Sequence, residues 1–236
     1  MTALPGDIAA LAPSRRTLDV LAEPDLRYRA LLGEAAWASL PEAVRRRFSK
    51  PAAAGAVTVY RGRVIATELS LLGRFFANLA RLVGGPLPLA SGATGPATVT
   101  VVEEPAFKGQ VWTRSYARPG RFPQVIHSAK RFTGPTGLEE YLGFGLVMRL
   151  TVSAEAGTLV FRSAGYGLEL LGTFVAFPAW LTPGTCEVRH RDQGNGRFSF
   201  RLALVHRRAG RLVHQIAVFE DPPAEETGSD PAGLTP

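Results

Sequence analysis

Two short runs carry the side chains best suited to chemistry. In Trp112-Thr113-Arg114-Ser115-Tyr116 an extended chain sets Trp112, Arg114 and Tyr116 on one face. In Ile126-His127-Ser128-Ala129-Lys130 it sets Ile126, Ser128 and Lys130 on one face. Arg118-Pro119-Gly120 turns the first run into the second, and a register near 112 to 126 points both faces the same way. Two cations beside a Trp and a Tyr can hold an anionic head group, with Met148 and Phe161 as apolar walls. The same composition also serves as an outward face on which cations lie over aromatic rings. Glu139-Glu140 leads into the most apolar strand, and Glu140 can pair with an inward Arg114, either as a salt bridge or as an acid/base group. Tyr166, and Trp180 within Pro178-Ala179-Trp180-Leu181-Thr182-Pro183, read as loop anchors that plug a barrel end. The candidate ligand-binding set is Trp112, Arg114, Ser128, Lys130, Glu140 and Tyr166, with no catalytic residue assigned.

Other chemistries are poorly supplied. Cys186 is the single cysteine, so there is no disulfide framework and no zinc spacing. It alternates with Val188 and reads as a small buried residue. His190 lies four residues along the same strand, about 13 Å away, too far to act as its base. Hairpin registers that pair His190 with Phe198 and His206 with Leu212 put His190 about 26 Å from His206, so His127, His190, His206 and His214 do not converge on a metal. Ser163 lacks a nucleophile-elbow context. Gly143-Phe144-Gly145 lacks the helix that a dinucleotide site needs, and no cofactor is expected.

The elements that must position these residues alternate with period two. Strands are predicted over 56–66, 97–102, 110–116, 124–132, 144–152, 158–164, 185–191, 197–206 and 211–219, joined by hairpin-length turns. Period two defines two faces without saying which is interior. Helical spacing covers Asp25–Trp37 and Pro41–Phe48, the latter opened by a capping box at Ser39–Glu42. A second helical region at about 68–84 is capped by Thr67 or Ser70 and bears the stripe Leu72, Phe75, Phe76, Leu79, Val83. That stripe reads first as core and second as a lid over a cavity. The fold expected is mainly β (α+β): an antiparallel meander forming a calycin-like barrel or half-barrel, with helices before the sheet and one between its early strands. The alternative is a START-type helix-grip, which needs a long C-terminal helix.

The chain has 236 residues, 46% of them apolar and 20% charged, as in an ordinary folded protein. Its organisation reads as a loose leader over 1–24, one β-rich domain over 25–220, and a disordered acidic tail over 221–236. The formal charge of +7 understates the basicity of the body, because Glu220, Asp221, Glu225, Glu226 and Asp230 all follow Phe219. Only Lys50, Lys108 and Lys130 are lysines; the other cations are arginines. Such a balance favours anionic ligands, unless the arginines are solvated spacers on outward strand positions. Nucleic acid is not expected as a partner, since no single helix or loop concentrates the basic residues. The most apolar stretch, 69–83, is interrupted by Arg74, Asn78 and Arg81, so no transmembrane segment is expected. No secretory signal is legible, and the cytoplasm is the default location.

Several segments, taken in order, resemble the bacterial domain of unknown function 4166. They are Tyr28-Arg29-Ala30-Leu31-Leu32-Gly33, Val44-Arg45-Arg46-Arg47-Phe48, Gly85-Pro86-Leu87-Pro88, Trp112-Thr113-Arg114, Glu140-Tyr141-Leu142-Gly143, Leu171-Gly172, Pro178–Pro183 and Gly196-Arg197-Phe198-Ser199-Phe200. The resemblance spans roughly Asp25 to Asp221 and implies no activity. It puts Trp112, Arg114 and Glu140 first among the candidate residues. Related domains follow a saccharopine-dehydrogenase-like nucleotide-binding domain, an arrangement not found in this chain. The function expected is a small amphipathic or anionic ligand-binding or accessory domain. The alternatives are an isomerase- or hydrolase-type enzyme using Glu140, and a structural partner of a dehydrogenase-like protein.

Overall fold

The computed structural model describes residues 25–50, 55, 57–81, 87–89 and 91–223. The expected leader, nearly all of the expected tail, Val83 and Gly84-Gly85-Pro86 lie outside them. Among the described residues, eleven antiparallel strands follow three short helices. The strands are β1 (Val57–Leu69), β2 (Gly95–Glu104), β3 (Gly109–Arg118), β4 (Arg121–Arg131), β5 (Leu138–Gly143), β6 (Leu146–Glu155), β7 (Thr158–Leu170), β8 (Thr173–Ala176), β9 (Thr185–Gly194), β10 (Arg197–His206) and β11 (Gly210–Glu220). The order around the sheet is β6-β5-β4-β3-β2-β1-β11-β10-β9-β7, and a long β6–β7 pairing closes it into a ten-strand barrel. β8 stands outside this ring. It pairs with the last turnward residues of β7, while β9 pairs with the first ones. The fold fits a calycin-like barrel. Because the β6–β7 pairing closes the sheet on itself, the open sheet that a helix-grip wraps around a helix is not realised.

β5 and β8 were not legible as strands. β5 holds Glu139 and Glu140 in succession, residues depleted in sheets. Each finds a cation on its own side. Outward Glu139 meets Arg131 and Arg149, and inward Glu140 meets Lys130 and Arg114. The sequence registers were also off by two. Trp112 opposes Ser128 and Arg114 opposes Ile126, which keeps the predicted common face. His190 opposes Phe200, and His206 opposes Gly210, because bulges interrupt both β10 ladders.

The ends of the barrel differ. The helices α1 (Arg27–Leu32), α2 (Glu34–Ala38) and α3 (Glu42–Phe48) pack across one end. Gly33, at φ 76, breaks the single helix expected over 25–37. The expected capping box does not form: Ser39 Oγ donates back to Ala36 O, and Pro41 is the N-cap of α3. Tyr28 and Val44 are fully enclosed, and Tyr28 meets Phe48, Phe132 and Phe161 edge-on. Arg47 locks the helices to the strands by reaching Asp192 and Asp221 at 2.7–2.8 Å. Asp221, counted with the tail from sequence, therefore packs with the body.

At the opposite end β1 runs into α4 (Leu71–Ala80), capped by Ser70, whose Oγ accepts from Gly73 N. Its buried face is made of Gly73 and Ala77, not of the apolar stripe. A Cβ at Gly73 would collide with the Leu212 carbonyl, so this glycine lets the helix sit against β11. Leu72, Phe75 and Leu79 stay exposed and only Phe76 of the described stripe packs against the core, so the core reading of the stripe fails for most of it.

Candidate functional site

Between the two ends lies a cavity of about 440 Å³. Its wall is built from the inward alternate positions of the strands: Val99, Ile126, Met148, Phe161, Val188 and Phe200 are examples. At its outer edge stand Phe76, Leu79 and Ala80 of α4, and Leu181 and Pro183 of the β8–β9 connection. Leu79 and Leu181 remain about half exposed there. α4 thus borders the cavity as the lid reading of its stripe requires.

The structure brings five of the six candidate residues to this wall: Trp112, Arg114, Lys130, Glu140 and Tyr166. Ser128 stands behind them and donates its hydroxyl to Glu140 Oε1 at 2.6 Å. Lys130 Nζ donates to Glu140 Oε2 at 2.9 Å, and Arg114 Nη2 reaches Oε1 at 3.4 Å while its Nη1 donates to Ser128 Oγ at 3.1 Å. Both cations also lie near the Trp112 ring, and Lys130 near Phe161 as well. Three strands supply the cluster. Lys130 directly opposes Glu140 across the β4–β5 ladder, and Arg114 comes from β3.

Burial by itself would raise the Glu140 pKa. The Lys130 and Arg114 charges, with hydrogen bonds from Ser128 and Lys130, outweigh it and hold the carboxyl at about 2. Glu140 is therefore ionised across the physiological range, and the cluster carries one positive charge in excess. Lys130 is buried, whereas the Arg114 side chain keeps 22% of its exposure and makes the longer contact. Arg114 is thus the more accessible of the two cations, and it keeps N–H donors beyond its bonds to Ser128 and Glu140.

Two other candidates take structural roles. Burial pushes the Cys186 thiol up to about 12, with the Glu140 charge adding to it, so the cysteine is an inert part of the cavity wall. Ser163 Oγ accepts from Cys186 N. Trp180 does not plug the barrel as expected: it is 80% exposed at the tip of the β8–β9 connection. Sequence reading also missed His190. It is wholly buried beneath the cavity against Phe48, Phe198 and Phe200, and neither ring nitrogen finds a partner among the described residues. Burial, with the Arg47 charge nearby, lowers its pKa to about 3, so it is neutral. Its period-two spacing from Val188 and Cys186 was the available signal.

A closed antiparallel barrel with a charged cluster set into an apolar interior is a scaffold compatible with ligand binding. The chain belongs to the family of the domain of unknown function DUF4166, whose profile matches residues 40–219. Tyr28–Gly33, one of the segments that carry the resemblance, precedes that span. No curated protein matches the chain.

Proposed function

We propose that the barrel binds a small amphipathic acid, with its apolar part in the cavity and its anionic group on Arg114. The observation that carries this reading is a 440 Å³ apolar cavity whose charged cluster retains one net positive charge, on the less buried of two cations. The volume falls within the range of small-molecule sites, roughly 300–1,000 Å³. Trp112 holds Arg114 from one side and Ser128 from the other, which limits the entropy lost when an anion is gripped.

The acid/base role for Glu140 is disfavoured by the same geometry. A general acid at neutral pH needs a raised pKa, and Glu140, held between two cations, has a lowered one. Its task is to hold Lys130 and Arg114 inside an apolar barrel.

Isothermal titration with decanoate and decanol tests the proposal. Decanoate should bind more tightly than decanol, and Arg114→Ala should lower decanoate affinity about tenfold or more, roughly 1.4 kcal/mol, while leaving decanol unchanged. Binding of neither compound, or decanoate affinity indifferent to Arg114, would refute the reading.

A further inference from the structure

The connections that leave the barrel at the α4 end carry apolar side chains that no described residue covers. Phe122 stands 93% exposed beside the β3–β4 turn, Phe144 80% exposed in the β5–β6 turn, and Leu171 fully exposed in the β7–β8 turn. Trp180 and Leu181 protrude from the β8–β9 connection, and Leu71 and Phe75 from α4. Alternation of strand direction puts α4 and the β3–β4, β5–β6, β7–β8 and β10–β11 turns at one end. The β8–β9 connection joins them because it ends at Thr185, opposite Val205 at the same end of β10, and it borders the cavity together with α4. Two of the tips are held out at a conformational cost. Phe144 has φ 49 and Leu171 φ 49, a left-handed backbone that bulky residues rarely adopt. Packing does not account for those residue types there, since the side chains touch solvent.

The charge of the same end is one-sided. Arg74 and Arg81, Arg118 and Arg121, and Arg207 and Arg208 come from three different connections, and none forms an ion pair with another described residue. The segments 70–94, 118–121, 143–146, 170–184 and 206–210 contain no Asp or Glu. Glu68 and Glu169, the nearest acids on the strands, are already paired with Arg211 and Arg131. No single segment concentrates the basic residues, as the sequence indicates, yet the fold gathers them.

We propose that this end docks on an anionic lipid bilayer, with the apolar tips at headgroup depth and the six arginines on the phosphates. Interfacial binding combines buried apolar area with attraction to anionic lipid, and both are present on one face. Nucleic acid would use the arginines and could stack on the aromatic tips, but it has no use for Leu71, Leu170, Leu171 and Leu181. The proposal builds on the ligand reading, because an amphipathic acid could then pass between bilayer and cavity without crossing water.

Co-sedimentation with phosphatidylcholine vesicles, with and without about 30% phosphatidylglycerol, tests it. Partitioning to the anionic vesicles should exceed that to neutral ones by about tenfold or more, because basic residues are attracted to such a surface. The double variant Phe144→Ser, Trp180→Ser should lose about tenfold or more of that binding while titrating decanoate as the parent protein does. Tryptophan emission should shift to the blue on vesicles, and Trp180→Phe should remove the shift. Equal binding to both vesicle types, binding to neither, or anionic binding indifferent to the double variant would overturn the proposal. So would displacement from the vesicles by a single-stranded oligonucleotide whose own binding ignores the tips. Vesicle binding by protein that takes up no decanoate would refute the ligand reading alone. Decanoate binding without vesicle binding would refute only the docking.

Discussion

At one end of the barrel Tyr28, Trp37 and Phe48 are buried, and Arg27, Arg46 and Arg47 are paired with Asp25, Glu103, Asp192 and Asp221. At the other, Phe122, Phe144 and Trp180 face solvent, and six arginines have no carboxylate partner among the described residues. The residue types are the same; what differs is whether the described residues supply their partners. Three helices do so at the closed end. At the open end one helix, α4, sits on β11 through Gly73 and Ala77, borders the cavity with Phe76 and Leu79, and leaves Leu71 and Phe75 in solvent. The closed end thus spends its aromatics on stability, and the open end leaves them for another surface.

The contrast is broken most severely at the closed end. Tyr28→Ala removes a fully buried ring that meets three phenylalanines, and should cost about 3–5 kcal/mol in a denaturant melt. Midway along the barrel, Lys130→Ala leaves Glu140 with Arg114 and Ser128 alone. The loss should be about 2–3 kcal/mol, short of the 3–5 for a wholly uncompensated buried charge. The parent protein should also lose stability as pH falls from 4.5 towards 2. Glu140 has a folded pKa below its unfolded one, so its contribution is present above the unfolded value and vanishes through the folded one. Glu140→Gln should flatten that part of the acid profile.

His190 separates the two halves by pH. Its folded pKa of about 3 lies below the ordinary 6.5, so the unfolded chain binds the proton first and stability falls as pH drops from 6.5 to 3. His190→Phe removes this term and places a ring among Phe48, Phe198 and Phe200. Relative to its behaviour at pH 7.5, the variant should gain about 2 kcal/mol on the parent at pH 5, at 1.36 kcal/mol per pH unit. A pH-stability profile parallel to that of the parent would show that His190 titrates normally. Arg114→Ala, on the less buried side of the cluster, should cost only about 1 kcal/mol, because Glu140 keeps Lys130 and Ser128. Its main effect belongs to the decanoate titration.

How far the sequence reached follows from what each signal encodes. Period two located nine of the strands and placed Trp112, Arg114, Ser128 and Lys130 on one face, and that face survived a two-residue register error because side-chain direction repeats every two residues. The Arg114–Glu140 pair was also expected. Lys130 as the closer partner was not, since it depends on the β4–β5 ladder, and β5 was hidden by its two glutamates. The setting of His190 was legible only in part: period two puts it on the face of Val188 and Cys186, while α3, which covers it, is remote in sequence. The stripe on α4 misled because helical spacing reports a face, whereas the face that packs is set by Gly73 beside the Leu212 carbonyl.

The smallest effect should carry the opposite sign to the first. Phe144 sits at φ 49 between Gly143 and Gly145, both also at positive φ, with its ring in solvent. A left-handed backbone costs an ordinary side chain roughly 1–2 kcal/mol, whereas asparagine can satisfy it by local hydrogen bonding. Little apolar burial is lost on replacing the ring. Phe144→Asn should therefore stabilise the barrel by about 0.5 kcal/mol, partly offset by the looser unfolded chain, where Tyr28→Ala destabilises it severalfold more. Thermal melts of the two variants side by side measure the difference between the ends directly. If Phe144→Asn lowers the melting temperature instead, the ring is packed against the protein in solution, and the open end is not the uncovered surface that vesicle docking requires.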